Sequence, residues 1–433
     1  MTKSLRGSLT AALLLALVAC SGGDKKPDPA PPGSGPAPAP ARPDPKPGDT
    51  TADKLPVEKP PEKAPDPPPP PEKLAGHEFL EDAKLLLVVG ACADGTQSVV
   101  KPEIVEAHCK KVKAAQDEYK KSWLAAARDF FSANVPKNLP RTVVYPFAGG
   151  DLGTALTVYP DADEITTLSL EPAGDARALA KLSEKDVVRQ LNLTATELAS
   201  LYRANFSVTM RMIDAMTVSG IPTQLIFSLS ALSIHDYELV SLRYFKLDAN
   251  GDPVYLEDKD LAEIDKIKTP VQHNKEMANV ELRFRKKGSS KTQVYRHLLA
   301  NLNDGSLKTT PAPLRHLEKK GKVAGMTKAA SYLLTFDEFA TMRKYLAEHV
   351  EWMVSDSTGL PPSAGEPAGF EYEMWGQYDA SNMKEGARVT PAWKKLYAAQ
   401  PKRDLKFRFG YPSFGNDGKM QNHLIIARRT AKK

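Results

Sequence analysis

Hydrophobic and polar positions change period several times along this chain, and each change marks an element. The clearest is at Thr142-Val143-Val144-Tyr145-Pro146-Phe147, a β-branched and aromatic run that ends in Ala148-Gly149-Gly150-Asp151. A helix-length stretch, Leu152–Tyr159, comes next, and Glu164-Ile165-Thr166-Thr167-Leu168-Ser169-Leu170-Glu171 returns to a strand pattern. Strand, glycine turn, helix and strand within about thirty residues predict a right-handed parallel βαβ unit. Val143–Phe147 and Ile165–Leu170 are its strands, with the glycines at their carboxyl ends.

The same reading extends in both directions. Leu74–Asn134 reads as helices, one opened by Pro102 and carrying Val105, Val112, Tyr119, Trp123 and Phe130. Ser183-Glu184-Lys185-Asp186 and Thr194-Ala195-Thr196-Glu197 have the spacing of capping boxes and predict two helix starts. The second helix would carry Leu198, Leu201, Tyr202, Phe206, Ile213 and Met216 on one face, with Met210 and Met212 beside it. Gln224–Ile234 is nearly all apolar and predicts a buried strand. Tyr237–Leu247 and Pro253–Leu256 predict a hairpin with a type I′ turn at Asn250-Gly251. Val280–Arg285 and Thr292–Leu302 predict a second one. Thr335-Phe336-Asp337-Glu338 predicts a capped helix with Phe339, Met342, Leu346, Val350 and Met353 on one face. Ser363–Ala387 reads as a long structured loop, and Leu405–Tyr411 with Asn422–Arg428 as paired strands. The fold class predicted is α/β: a Rossmann-like mixed sheet over residues 136–433, a helical N-terminal segment over 74–135, and additional β-hairpins.

Composition changes the picture at the N-terminus. Residues 21–73 hold 19 of the 36 prolines and no aromatic side chain. Such a segment cannot bury enough apolar surface to offset its ordering entropy. A tether is predicted over residues 20–73, able to reach on the order of 150 Å when extended. Residues 1–19 have the cationic start Lys3 and Arg6, then an apolar run from Ala11 to Ala19 that is too short to span a bilayer, as an export signal has. Its ending, Leu17-Val18-Ala19-Cys20, resembles the lipobox of bacterial lipoproteins. That resemblance implies cleavage before Cys20, a diacylglyceryl thioether on its sulfur and acylation, for example by palmitate, of its new amine. Ser21 in place of an aspartate implies outer-membrane sorting in a Gram-negative cell. The cell envelope is the expected location, and the membrane a partner through the lipid.

Export also bears on the other two cysteines. With Cys20 lipidated, Cys92 and Cys109 are left in an oxidising compartment, which predicts a Cys92–Cys109 disulfide. His108 lacks the further ligands that a metal site would need, so no metal is expected. Outside signal and tether, 49 Lys/Arg face 44 Asp/Glu. A surplus of 49 − 44 = 5 dispersed charges does not make a nucleic-acid surface.

Candidate chemistry centres on the glycine turn. Glycines admit close backbone approach, a helix N-terminus favours an anion, and an acid closing the second strand accepts ribose hydroxyls. Gly149, Gly150, Asp151 and Glu171 stand in those places and are the candidate cofactor-binding residues. This arrangement resembles the cofactor end of class I S-adenosylmethionine methyltransferases, and the closing strands fit that fold. The family's acid in the first strand falls here at Tyr145 or Pro146, and its Gly-x-Gly is broken into Gly149-Gly150-Asp151. No bound cofactor is expected. Hydrolytic motifs are missing too: there is no Gly-x-Ser-x-Gly or His-Glu-x-x-His, and Ser381-Asn382-Met383-Lys384 has no accompanying Lys-Thr-Gly. Asp248–Asp252 starts like an EF-hand loop, but Pro253 and Lys259 stand where that loop needs glycine and an acid.

Four segments, Tyr145-Pro146-Phe147 with its glycines, Ser169-Leu170-Glu171-Pro172, Lys328-Ala329-Ala330-Ser331-Tyr332-Leu333-Leu334 and Asp356-Ser357-Thr358-Gly359-Leu360-Pro361, resemble those of a family of uncharacterised bacterial lipoproteins. That likeness implies no mechanism. Two functions stay open: a non-catalytic, lipid-anchored binding or envelope-structural domain that meets an envelope protein or a small ligand, and a divergent methyltransferase-like enzyme with its site at Gly149–Asp151 and Glu171.

Overall fold

The computed structural model describes residues 74–205, 222–379, 389–415 and 417–430. The signal, the tether, the apolar positions Phe206–Met216 and the Ser381–Lys384 match lie outside them. Among the described residues no helix is long and apolar enough to cross a membrane.

The predicted βαβ unit is the middle of the molecule. Strands β1 (Thr142–Pro146) and β2 (Glu164–Ser169) run parallel, with Val143 opposite Ile165 and Tyr145 opposite Thr167. A short helix (Leu152–Val158) crosses between them. Further strands are β3 (Tyr237–Leu247), β4 (Pro253–Tyr255), β5 (Asn279–Lys286), β6 (Gln293–Leu299), β7 (Val323–Thr327), β8 (Val350–Ser355), β9 (Phe370–Gly376), the small pair β10 (Ser413–Phe414) and β11 (Met420–Gln421), and β12 (His423–Arg429). Ten of them form one sheet in the order β4-β3-β5-β6-β2-β1-β7-β8-β12-β9. β6, β2, β1, β7 and β8 are mutually parallel. β12 lies antiparallel between β8 and β9, and β5, β3 and β4 extend the other side as antiparallel hairpins.

With β1, β2, β6, β7, β8, β9 and β12 counted as strands one to seven, the order from β6 to β9 is 3-2-1-4-5-7-6. This is the doubly wound Rossmann-like order with one antiparallel strand inserted before the last, as in a methyltransferase-like sheet. The connections reverse direction between β1 and β7. Alternation along the strands feeds two cores, since Val143, Tyr145 and Trp352 face one and Val144, Leu168 and Met353 the other. Strands buried on both faces are what parallel sheets require.

The first core is covered by α1 (Leu80–Val89), α2 (Pro102–Tyr119), α3 (Ala125–Asn134), the crossover helix α4 (Leu152–Val158), α5 (Glu184–Ala204) and α6 (Thr223–Ile234). A π-helical turn, Lys120–Leu124, joins α2 to α3. The N-terminal helices thus share their core with the sheet. Cys92 and Cys109 are bonded, tying the turn after α1 to α2. The bridge closes a loop of 17 + 1 = 18 residues. Its reduction should cost roughly 3 kcal/mol in the chain-entropy account. Urea titration with and without dithiothreitol checks this, and an unchanged midpoint would contradict it.

Several expectations need correction. Gln224–Ile234 belongs to a helix, α6, buried nearly all round, because a short run of mostly apolar residues broken only by small serines has no charged face whose period could separate strand from helix. Thr194 is not a helix start but lies buried inside α5, whose face Val187, Leu191, Leu198 and Leu201 continues through it. The helix after Thr335 begins at Ala340 without a side-chain cap and ends at His349, and Val350–Ser355 is the parallel strand β8. Only Gly251 has positive φ in the β3–β4 turn, so the connection is not type I′. It is a five-residue loop in which Asp248 Oδ1 accepts from the Asn250 and Asp252 amides. Within Ser363–Ala387, residues Phe370–Gly376 form the edge strand β9. Leu405–Tyr411 is an irregular strap, and β12 pairs instead with β8 and β9.

Candidate functional site

The carboxyl ends of β1, β2, β7 and β8 meet where the connections reverse, the place at which open α/β sheets take ligands. All four segments singled out as family-like leave the sheet there. Each supplies one polar side chain.

Asp151 caps α4. Its Oδ1 accepts from the Thr154 amide at 3.3 Å and the Thr154 hydroxyl at 2.8 Å. Its Oδ2 accepts from the Tyr145 hydroxyl at 3.0 Å and lies 2.6 Å from Lys328 Nζ. Lys328, the first residue after β7, is 1% exposed along its side chain and also donates to Thr154 Oγ1 at 2.7 Å. The Phe409 ring lies 5.8 Å from its nitrogen. Burial pushes the Lys328 pKa down, and Asp151 opposes that shift. The glycine turn is therefore a socket for the chain's own lysine.

Gly149 has φ of 55°, and Gly150 lies against Phe227 of α6, whose ring would sit 2.6 Å from any added Cβ. The space that Gly150 leaves is thus taken by an aromatic side chain. Beside it, Tyr119, Tyr202, Asn205 and His235 help to line a cavity of about 20 Å³, room for roughly one water. Asn205 Oδ1 is buried there without a hydrogen-bond partner among the described residues.

Asp356, the first residue after β8, is fully buried and has four donors. Its Oδ2 accepts from the Ala329 amide at 2.9 Å and the Tyr411 amide at 2.8 Å. Its Oδ1 accepts from the amide and hydroxyl of Thr358. The strap 405–411 is held over the strand ends by this carboxylate, by Trp123 Nε1 donating to Arg408 O, and by buried Phe407 and Phe409. Gly410 turns at φ 63° with Asp356 Oδ2 only 2.0 Å from where a Cβ would be, so no other residue fits.

Glu171 follows β2 and is fully buried, and neither carboxylate oxygen has a hydrogen-bond partner among the described residues. Its carbonyl accepts from His297 Nε2 at 2.7 Å. Burial lowers the His297 pKa to about 4, although that bond works against the shift. Thr167, Tyr295 and Gln224 continue a buried hydrogen-bond chain from this histidine beneath α6. Phe147, Ala329, Ser331 and Tyr332 at the same end all have positive φ, the backbone strain that tight, over-determined turns hold.

The structure thus gathers Gly149, Gly150, Asp151 and Glu171 at one end of the sheet, with the first three packed against protein. Lys328 and Asp356 escaped the sequence reading as chemistry. The position of Lys328 becomes readable only once Val323–Thr327 is known to be a parallel strand, which the sequence reading did not assign, and β8 was read as helix, which hid the equivalent position of Asp356. Asp175, Asp265 and His273 come close enough to suggest a metal, but Arg177 already donates to both carboxylates. No protein-family model, curated protein or solved structure matches the chain.

Proposed function

We propose that this chain is a lipid-anchored extracytoplasmic protein whose methyltransferase-like sheet serves as a non-catalytic binding or envelope-structural scaffold, carried on the proline-rich tether. One observation supports it most: the end of the sheet where a cofactor would lie is occupied by side chains. Phe227 covers Gly150, Lys328 and Thr154 use the oxygens of Asp151, and the strap with Phe407 and Phe409 closes the strand ends. A nucleotide would have to displace a buried ion pair and an aromatic ring, which costs several kcal/mol before any contact forms. Membrane attachment and outer-membrane sorting rest on Leu17–Cys20 and Ser21. Fractionation of wild type and Cys20→Ala tests the anchor, with wild type expected in the membrane and the variant released. Equal solubility would refute it.

Glu171 favours the second reading, a divergent enzyme of this fold, because a buried carboxylate without a partner suits a ligand's donor. Thermal stability and turnover together separate the two readings. With the cofactor end closed, S-adenosylmethionine, nucleosides and nucleotides at millimolar concentration leave the melting temperature unchanged. Stabilisation by any of them, lost in Glu171→Gln, would show that this end is open, because a ligand that binds the native state must raise its stability, and turnover of that compound would establish the second reading.

A further inference from the structure

We propose that Lys328 and Asp151 join covalently, forming an isopeptide bond between Lys328 Nζ and Asp151 Cγ that locks the exit of β7 to the turn after β1. The inference stands on the geometry of this pair and is independent of whether the domain binds a ligand.

The pair has the arrangement that amide formation needs. The amine nitrogen and the carboxyl group are in contact, Nζ to Oδ2 at 2.6 Å, and their side chains are 1% and 7% exposed. Two groups held in contact by a folded core react as one molecule, without the entropic cost of an encounter. Donors already surround the carboxyl group. The Thr154 amide and hydroxyl point at Oδ1, and the Tyr145 hydroxyl points at Oδ2. Burial also disfavours the charged ammonium, which moves the lysine towards the neutral, nucleophilic amine. Phe409 lies over the nitrogen, and the strap anchored on Asp356 keeps bulk water from the pair.

The reaction balances without any co-reactant. Lys328 first gives one proton to Oδ2, turning ammonium and carboxylate into amine and carboxylic acid. The nitrogen lone pair then attacks Cγ, and the negative charge that develops on Oδ1 is held by the two Thr154 donors, as in an oxyanion hole. Oδ2 takes a second proton from the nitrogen and leaves as water, with the Tyr145 hydroxyl bonded to it. One C–N bond forms, one C–O bond breaks, and nothing is oxidised or reduced. The product removes two opposite charges from a site where each is expensive to bury. Departure of the water into solvent drives it forward.

A tryptic map of the full-length protein purified from its membrane tests this. The proposal expects a branched peptide in which Thr142–Arg177 is joined to Val323–Arg343, lighter than their sum by one water, with no cleavage after Lys328. Fragmentation should place the link at Asp151 and Lys328. Recovery of linear Thr142–Arg177 and of Val323–Lys328 in full yield would overturn it. In Lys328→Met both segments should appear linear and at full mass. A water loss that persists in this variant lies elsewhere and would equally overturn the assignment. Should the variant fail to fold, the wild-type map decides alone.

Discussion

Lowering the pH from 7 to 5 should bring this protein close to unfolding. Five histidines are buried, His108 among them, and burial lowers the pKa of each, by the most at the other four. Burial brings the pKa of His297, His316 and His423 down to about 4, and burial together with Arg128 brings that of His235 down to about 3. Lys320 and Arg296 add to the shift at His316, while Asp356 works against it at His423. An unfolded histidine titrates near 6.5, so the unfolded chain takes up protons first. Each residue's contribution is therefore complete above about pH 6.5 and is lost as the pH falls towards its folded value. At pH 5 the loss is roughly 2 kcal/mol per histidine, and four of them approach the whole stability of an ordinary domain. Glu164 acts in the same direction at lower pH. Burial alone would raise its pKa, but Lys320 and Arg296 outweigh it and hold it at about 2, so its share is lost between about pH 4.5 and 2. Urea midpoints measured from pH 8 to 4 check this. A midpoint that stays flat down to pH 5 would refute the buried neutral state, and His297→Gln should lessen the slope.

Replacing Asp356 by alanine should cost about 3 kcal/mol or more, since it strips the acceptor from four neutral donors and each buried donor left unsatisfied costs about 1–3 kcal/mol. The loss is not of packing but of partners. Ala329 N, Tyr411 N and the amide and hydroxyl of Thr358 would keep their burial and lose their acceptor. Gly410→Ala should approach the same cost by another route, since its new methyl group would meet the carboxylate in a backbone conformation that disfavours alanine. Both variants free the strap, so limited proteolysis should cut within 404–411 before any other described segment. Asp356→Asn, which keeps one acceptor oxygen, should fall between wild type and alanine. Equal urea midpoints for wild type and Asp356→Ala would show that the strap is held without this carboxylate, by Trp123 and the buried Phe407 and Phe409.

How legible the site was depended on what kind of information placed each residue. Gly149, Gly150, Asp151 and Glu171 could be put at the strand ends because the βαβ unit is local: about thirty residues contain both strands, the crossover and the turn, and handedness does the rest. What those residues do there was not local. Asp151 faces a lysine and Gly150 a phenylalanine, each supplied by a distant segment, and no spacing rule connects them.

Local pattern by itself determined the class of the fold, the central unit, both hairpins, the cap at Ser183 and the pairing of Cys92 with Cys109, because periodicity, turn chemistry and two leftover thiols are properties of short stretches. Tertiary structure decided the rest. Thr223–Ile234 became a helix because the sheet face had room for a rod among α1, α4 and β3, a choice that a short, mostly apolar run could not express. Val350–Ser355 left the helix before it because a slot between β7 and β12 offered two ladders of backbone hydrogen bonds. Leu405–Tyr411, strand-like in composition, joined neither edge of the sheet and instead closed over the strand ends, since Asp356, Trp123 and the aromatic core supplied its partners. A segment's own residues set which conformations are cheap, and only the surfaces it meets select among them.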